Sequence, residues 1–427
     1  MWLREVTLRP DPMSLARALA HRRGLAVLAS APGSGLRSGD ARFSFVACDP
    51  VETSEDLVPP VTPDPQSTGG FEGLAPAPRW VGAIPYDAFR HLERRGSERR
   101  SAHRASPRWH RYDAVLRVDH ETGRVSVEAD DQRAGERLLH AASAASPQTT
   151  VRPASLIPAE HEPAAEHRAR ICAALEYIAR GDVYQVNLAR RLSFRVEGDP
   201  VDLFARLLVR ARAPYGVYWA MSDETIVCGA SPELALEVHG PCLRTGPIKG
   251  TRPRGTCAAT DESLRHELEA SDKERAELVM AIDLHRNDLG RVADYGSVRV
   301  LGEPRTLAGP TVYSRVAEVV ARRDVAADLS RVVEAVLPCG SVTGAPKVRA
   351  MEIIAELEAR PRGLYTGAVG YVGRDGSLVL AMAIRTAVLT RDGSRWLAEY
   401  FAGGGIVAGS DPSREVEETE WKAAHLV

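Results

Sequence analysis

Thr366–Gly404 reads TGAVGYVGRDGSLVLAMAIRTAVLTRDGSRWLAEYFAGG, and its pattern decides the fold class. Apolar runs rich in Val, Ala and Leu are punctuated at Arg374-Asp375-Gly376 and Arg391-Asp392-Gly393-Ser394 by the short polar turns that join hairpin strands. Upstream, VYQVNLARRLSFRV (Val183–Val196), TIVCGASPELALEV (Thr225–Val238) and the alternation in PCLRTGPI (Pro241–Ile248) read as further strands. Helical spacing appears too. Ile171, Ala174, Leu175 and Ile178 recur on one helix face, and Gly181 supplies a stop. Longer helices are predicted over Asp261–Leu284, Ala345–Ala359 and Arg414–Ala424. Strands and helices do not alternate strictly, so a mixed α+β layer structure is expected rather than a parallel doubly wound sheet.

The chain has 427 residues, 44% apolar and 26% charged, which suits one large core or two to three ordinary ones. Its formal charge of -2 provides no global field to recruit nucleic acid or an anionic membrane. No uncharged apolar run approaches the roughly 18 to 20 residues of a membrane helix, and MWLREVTLRPDP at the start lacks the apolar core of a signal peptide. A soluble, cytoplasmic protein is expected. The cysteines at 48, 172, 228, 242, 257 and 339 are scattered, without a CxxC pair or a zinc spacing, and read as reduced thiols. Val51–Pro78 and Ser143–Ala164 are rich in Pro, Ser, Thr and small residues and read as long surface segments. The second separates an N-terminal region (1–150), which would add strands and a possible regulatory pocket, from a catalytic region (165–427). The arginine-dense run His91–Arg111 reads as a solvated loop or a docking surface for an acidic protein, not as an RNA site.

Three kinds of signal carry chemistry. Glu274 with Glu277, and Glu415 with Glu418, are carboxylate pairs three residues apart on expected helices, so each pair shares a face. Like charges so placed repel unless a cation neutralises them, and a hard divalent ion such as magnesium suits oxygen ligands. Either pair alone is also what an ordinary solvated helix face shows. AGGGIVAG (Ala402–Gly409) and GSVTGAPK (Gly340–Lys347) are glycine clusters suited to close backbone approach or anion binding, and equally to plain turns. Neither is a Walker or dinucleotide motif. Lys249, Arg385 and Lys422 interrupt apolar or helical patterns, and a buried cation needs an anion.

Taken in order, GDVYQVNLARR, ASPEL, PIKGTRPRG, KERAELVMAIDLHRNDLGRV, GSVTGAPKVRAMEIIAELE, YTGAVGYV, AIRTAV and AGGGIVAGSDPSREVEET resemble the chorismate-utilising enzymes. The match is dense over residues 165–427 and thinner upstream, in RWVGAIPYDAF and RYDAVL. The resemblance implies two packed, mainly antiparallel sheets flanked by helices. It also implies that Mg²⁺ is held by Glu277 and Glu418, with Glu274 and Glu415 beside them. Tyr365, Arg385, Lys422 and the Gly403, Gly404 and Gly405 backbone would bind the carboxylates of chorismate, and Thr343 with Gly344 would line the same pocket.

Within the family, members with Lys in PIKGT resemble aminodeoxychorismate synthases, whereas anthranilate synthases resemble PIAGT. Lys249 therefore implies amination at C4 on the route to 4-aminobenzoate and folate, with the lysine amine as nucleophile and nearby Mg²⁺ and Arg385 lowering its pKa. Isochorismate and salicylate synthases carry a water-activating lysine where this chain has Gln185, and a neutral amide is a poor base. Lys249 and Gln185 are thus the candidate catalytic positions.

Two departures from the family pattern are Ser314, in the place of a His that could protonate the departing hydroxyl, and Cys339, in the place of a glycine. No glutaminase motif is visible, so a separate glutamine amidotransferase subunit is the implied ammonia source. Anthranilate synthase and 2-amino-2-deoxyisochorismate synthase are the alternatives within the family. A catalytically idle chorismate- or tryptophan-binding protein is the alternative of another class.

Overall fold

The computed structural model describes residues 1–427 except 32–33, 35–39, 61–75, 93–104, 145–153, 310–311, 425 and 427. The described strands form a twelve-stranded, a nine-stranded and a three-stranded sheet, with every pairing between them antiparallel. The α+β expectation holds. Both large sheets draw strands from both ends of the chain: Ala26–Ala29 pairs with Tyr215–Ser222 in one, and Pro78–Ile84 with Ala368–Gly373 in the other.

The quoted stretch explains how the sheets stack. Its first hairpin, Ala368–Gly373 with Leu378–Met382, lies in the nine-stranded sheet, and its second, Thr386–Asp392 with Arg395–Ile406, in the twelve-stranded one. Alternation along a strand sends side chains to opposite faces. Val369 and Tyr371 accordingly meet Phe43, Phe45, Trp219 and Val227 of the other sheet, while Ala368 and Val372 face a helical layer that includes Leu278, Val332 and Ile353. Helices likewise cover the outer face of the larger sheet, through Leu15, Leu138, Phe204 and Leu207.

Several expectations need correction. The predicted helix Asp261–Leu284 is two helices, Ala258–Ala270 and Asp272–Gly290. Ser271 leaves helical geometry at ψ 112° and caps the second helix, its side chain accepting from the Glu274 amide. The other two predicted helices span Lys347–Leu357 and Pro412–Ala423, the latter N-capped by Asp411. Within the segment read as loop from Val51 to Pro78, Glu52–Ser54 pairs with Arg108–Arg111. The end of the arginine-rich run is therefore a core strand, in which Trp109 and His110 are buried. Ser155–Pro158, in the second expected loop, pairs with Phe194–Glu197. The remainders of these segments at 61–75, 93–104 and 145–153 lie outside the described residues. No helix among the described residues is long and apolar enough to cross a membrane.

Candidate active site

Two crossings between the large sheets frame the site. Thr225–Ser231 belongs to one sheet and Leu234–His239 to the other, and Leu378–Met382 and Thr386–Asp392 repeat the passage in reverse. Ladder pairing is lost at both crossings, so the backbone groups bond to each other instead. The Ala230 amide donates to the Arg385 carbonyl at 3.1 Å and the Met382 amide to the Glu233 carbonyl at 3.0 Å. Arg385 sits here at φ +50°, a conformation that an L residue adopts only under constraint from its surroundings.

Lys249 lies on Ile248–Pro253, in the small sheet, and its Nζ donates to the Ser341 carbonyl at 2.9 Å. Burial lowers its pKa first of all. Glu277 and Glu233 oppose that shift, and Lys422 adds to it. Mg²⁺ and Arg385 were expected to lower it, and the largest cause is the protein's own enclosure of the amine.

Beside the lysine is a residue that sequence reasoning passed over. Glu233 is 3% exposed and accepts from Ser341 Oγ at 2.8 Å. Burial pushes its carboxyl up to about 7, with the Ser341 hydrogen bond and Lys249 acting in the other direction. Glu233 stands in ASPEL, where a carboxylate interrupts apolar strands as Arg385 does in AMAIRTAVL. That was the available signal. Burial shifts both groups toward their uncharged forms, and Ser341 joins them, its carbonyl accepting from Lys249 and its hydroxyl donating to Glu233.

The two glutamate pairs lie within electrostatic reach of one another. Glu277 and Glu418, on different helices, each lie within electrostatic reach of the other and of Lys249. Burial raises the pKa of Glu277 and of Glu415, and a like-charged neighbour adds to each shift, Glu274 and Glu418 respectively. Burial acts on Glu418 in the same sense, but Lys422 carries it below the usual range.

Cations of the chain stand among these acids: Arg252 3.1 Å from Glu274, Lys273 3.8 Å from Glu277 and Lys422 2.5 Å from Glu418. Among the described residues no three of His, Cys, Asp and Glu are gathered closely enough to enclose a metal as placed. The all-oxygen donor set and the cost of holding Glu277 and Glu415 charged nonetheless suit a hard divalent cation.

The glycines have steric reasons. A Cβ on Gly404 would stand 3.0 Å from Glu415 Oε2 and 3.4 Å from Glu418 Oε1, so its absence leaves these carboxylates room. A Cβ on Gly403 would meet the Leu188 carbonyl at 2.3 Å, and one on Gly405 would meet Gln185 Nε2 at 2.2 Å. The buried Gln185 side chain thus lies over Gly405. Gly344, at φ +143°, packs on the Gln185 backbone.

Thr343 spends its hydroxyl on the Cys339 carbonyl at 2.9 Å, and Lys422 donates to the Gly403 carbonyl at 2.7 Å. Tyr365 is buried and stacked on Phe401 at 5.4 Å. Ser314 lies opposite Thr251 in the small sheet, two positions along the strand from Lys249. Gly404→Val is expected to crowd both carboxylates and raise the magnesium concentration for half-maximal activity roughly tenfold. An unchanged magnesium titration would remove the glycine's link to the metal.

A family profile described as chorismate binding enzyme matches residues 49–427. The chain belongs to the chorismate-binding enzyme family. Anthranilate synthase component 1 of Streptomyces coelicolor is 37% identical over 94% of this chain and 82% of its own length. Aminodeoxychorismate synthase component 1 of Bacillus subtilis is 43% identical over 58% of this chain and 52% of its own. The solved structure of anthranilate synthase component I from Streptococcus pneumoniae superposes with TM-score 0.77 at 29% identity, covering 92% of this chain and 94% of that one. The protein is a chorismate-utilising enzyme.

Proposed function

We propose that this enzyme aminates chorismate at C4, yielding 4-amino-4-deoxychorismate, with ammonia supplied by a separate glutamine amidotransferase. The observation that supports it is the meeting of half-buried Lys249 and buried Glu233 at Ser341, each shifted toward its uncharged form. In the first half-reaction the lysine nitrogen bonds to C2, the ring double bonds shift and the C4–O bond breaks. Glu233 gives its proton to the departing hydroxyl, which leaves as water, and then takes back the proton shed by the alkylated amine. In the second half, the nitrogen of ammonia bonds to C4 as the C2–N bond breaks. One proton passes from the incoming nitrogen to the lysine.

Ser314 is then not needed as an acid, because Glu233 supplies the proton. The Arg385 guanidinium, enclosed near Glu233 and Tyr400, would hold a substrate carboxylate. Glu277 and Glu418, with Glu274 and Glu415 behind them, would hold magnesium, whose charge would draw the ring carboxylate into the cleft.

A second reading has its own support: the Streptomyces coelicolor relative that matches 94% of the chain is an anthranilate synthase component 1. There, ammonia would attack C2 directly. Purified protein given chorismate, Mg²⁺ and ammonium separates the two readings by product. The proposal expects a non-fluorescent aminated product that an added lyase converts to 4-aminobenzoate, and accumulation of fluorescent anthranilate would sink it.

A further inference from the structure

Arg362 is 2% exposed and spends every N–H of its guanidinium inside the protein. Nε and Nη2 form a fork on the Glu358 carboxylate, at 2.8 and 2.7 Å. The remaining donors go to the Asn187 carbonyl at 2.8 Å, the Val342 carbonyl at 3.2 Å and Thr366 Oγ1 at 3.1 Å. No donor is left for a substrate carboxylate. Glu358, 5% exposed, accepts in addition from the Ala189 amide at 2.9 Å.

What the pair grips is the backbone beside the residues expected to meet chorismate. Asn187 and Ala189 lie opposite Gly405 and Gly403 in the strand ladder, Val342 precedes Thr343, and Thr366 follows Tyr365. The guanidinium carbon also stands 5.6 Å from the centre of the Tyr365 ring and 5.0 Å from that of Tyr86. Thr366 shows how tightly this corner is constrained. Its φ of +60° is left-handed, an outlier for a β-branched residue. Holding it there are the bond from Arg362, its own hydroxyl on the Tyr365 carbonyl at 2.6 Å and its amide on the Ala383 carbonyl at 3.0 Å.

Stability alone does not call for this arrangement, since well-packed apolar side chains often replace a buried ion pair without loss. A planar fork that meets oxygens from four separate segments fixes their relative placement, which neither an apolar group nor a lysine can do.

We propose that Arg362 is a positioning residue for substrate recognition, which together with Glu358 holds the Gly403–Gly405 strand, the backbone at Thr343 and Tyr365 in the arrangement that accepts a chorismate carboxylate. This rests on those residues meeting the substrate, and it is independent of which ring carbon is aminated.

The test uses Arg362→Lys, which keeps the charge but has three donors and no fork. With Mg²⁺ and ammonium saturating, it should raise the KM for chorismate about tenfold and leave kcat within about threefold. That split is expected because a carboxylate outside the chemistry is held equally in the ground and transition states. A role in stability alone would lower the melting temperature and leave KM in place. Thr366→Ala, which removes one acceptor, should raise the chorismate KM about threefold, and Thr366→Ser, which keeps it, should match the wild type. A chorismate KM within twofold of wild type in Arg362→Lys overturns the proposal, as does a fall in kcat with no rise in KM. If Arg362→Lys does not fold, the Thr366 pair decides, and equal KM values for Thr366→Ala and Thr366→Ser overturn it. Tyr365→Phe probes the pocket itself. An unchanged chorismate KM there removes the substrate-binding role on which the inference rests, and the inference with it, whatever Arg362→Lys does.

Discussion

Replacing Lys249 with alanine is expected to lower amination with ammonium by about 10³-fold or more and to abolish any covalent adduct on the protein. The amine is enclosed, holds the Ser341 carbonyl at 2.9 Å and is shifted toward its neutral form by burial. Lys249→Arg separates nucleophile from cation, because a guanidinium keeps the charge but cannot attack. It should be as inactive as alanine. Chorismate should still protect both variants against thermal unfolding, since Arg385 and the acid cluster remain. If Lys249→Ala makes product at the wild-type rate, or if Lys249→Arg restores it, the lysine is not the nucleophile and direct attack by ammonia is the better mechanism.

The second large effect belongs to Glu233. Glu233→Gln preserves shape and the hydrogen bond from Ser341 but cannot deliver a proton to the departing hydroxyl, and should lower kcat by roughly 10²- to 10³-fold at nearly constant KM. The acid form is the active one and its pKa is pushed up to about 7. Adduct formation should therefore fall as pH rises through about 7, where the acid is lost, and fall also at lower pH, where Lys249 takes up a proton. In Glu233→Gln this alkaline limb should vanish. Retention of the limb in the variant would assign the titration to another group, and a kcat within threefold of wild type would end the general-acid role. Single-turnover mass measurement without ammonia reads this step alone, unaffected by the rising fraction of free ammonia at high pH.

Much of the fold was legible because its strands alternate and its turns carry Asp-Gly. The hairpins around Arg374–Gly376 and Arg391–Ser394 needed nothing beyond local chemistry. Where the local pattern was ambiguous, the reading failed. Ser271 breaks an otherwise continuous helical run because its own side chain caps the next helix, and a window average cannot see a single cap. Trp109 and His110 looked solvated because arginines surround them in sequence, yet their strand lies between Glu52–Ser54 and Pro78–Ile84. For the site, the carboxylate pairs, the glycines and Lys249 stood out individually. Glu233 did not, since one acid in a strand is ordinary until burial is known.

Hairpins, family and the chemical types gathered by the motifs were legible because periodicity, turn residues and motif order are properties of neighbours along the chain. Long-range packing puts the two hairpins of Thr366–Gly404 in different sheets, crossing at Ala383–Arg385 beside the other crossing at Pro232–Glu233. That meeting removes water from the Glu233 acid, and the Lys249 amine reaches Ser341 beside it from the small sheet. Their protonation depends on the enclosure made by distant segments, and no residue carries that information in its own neighbourhood.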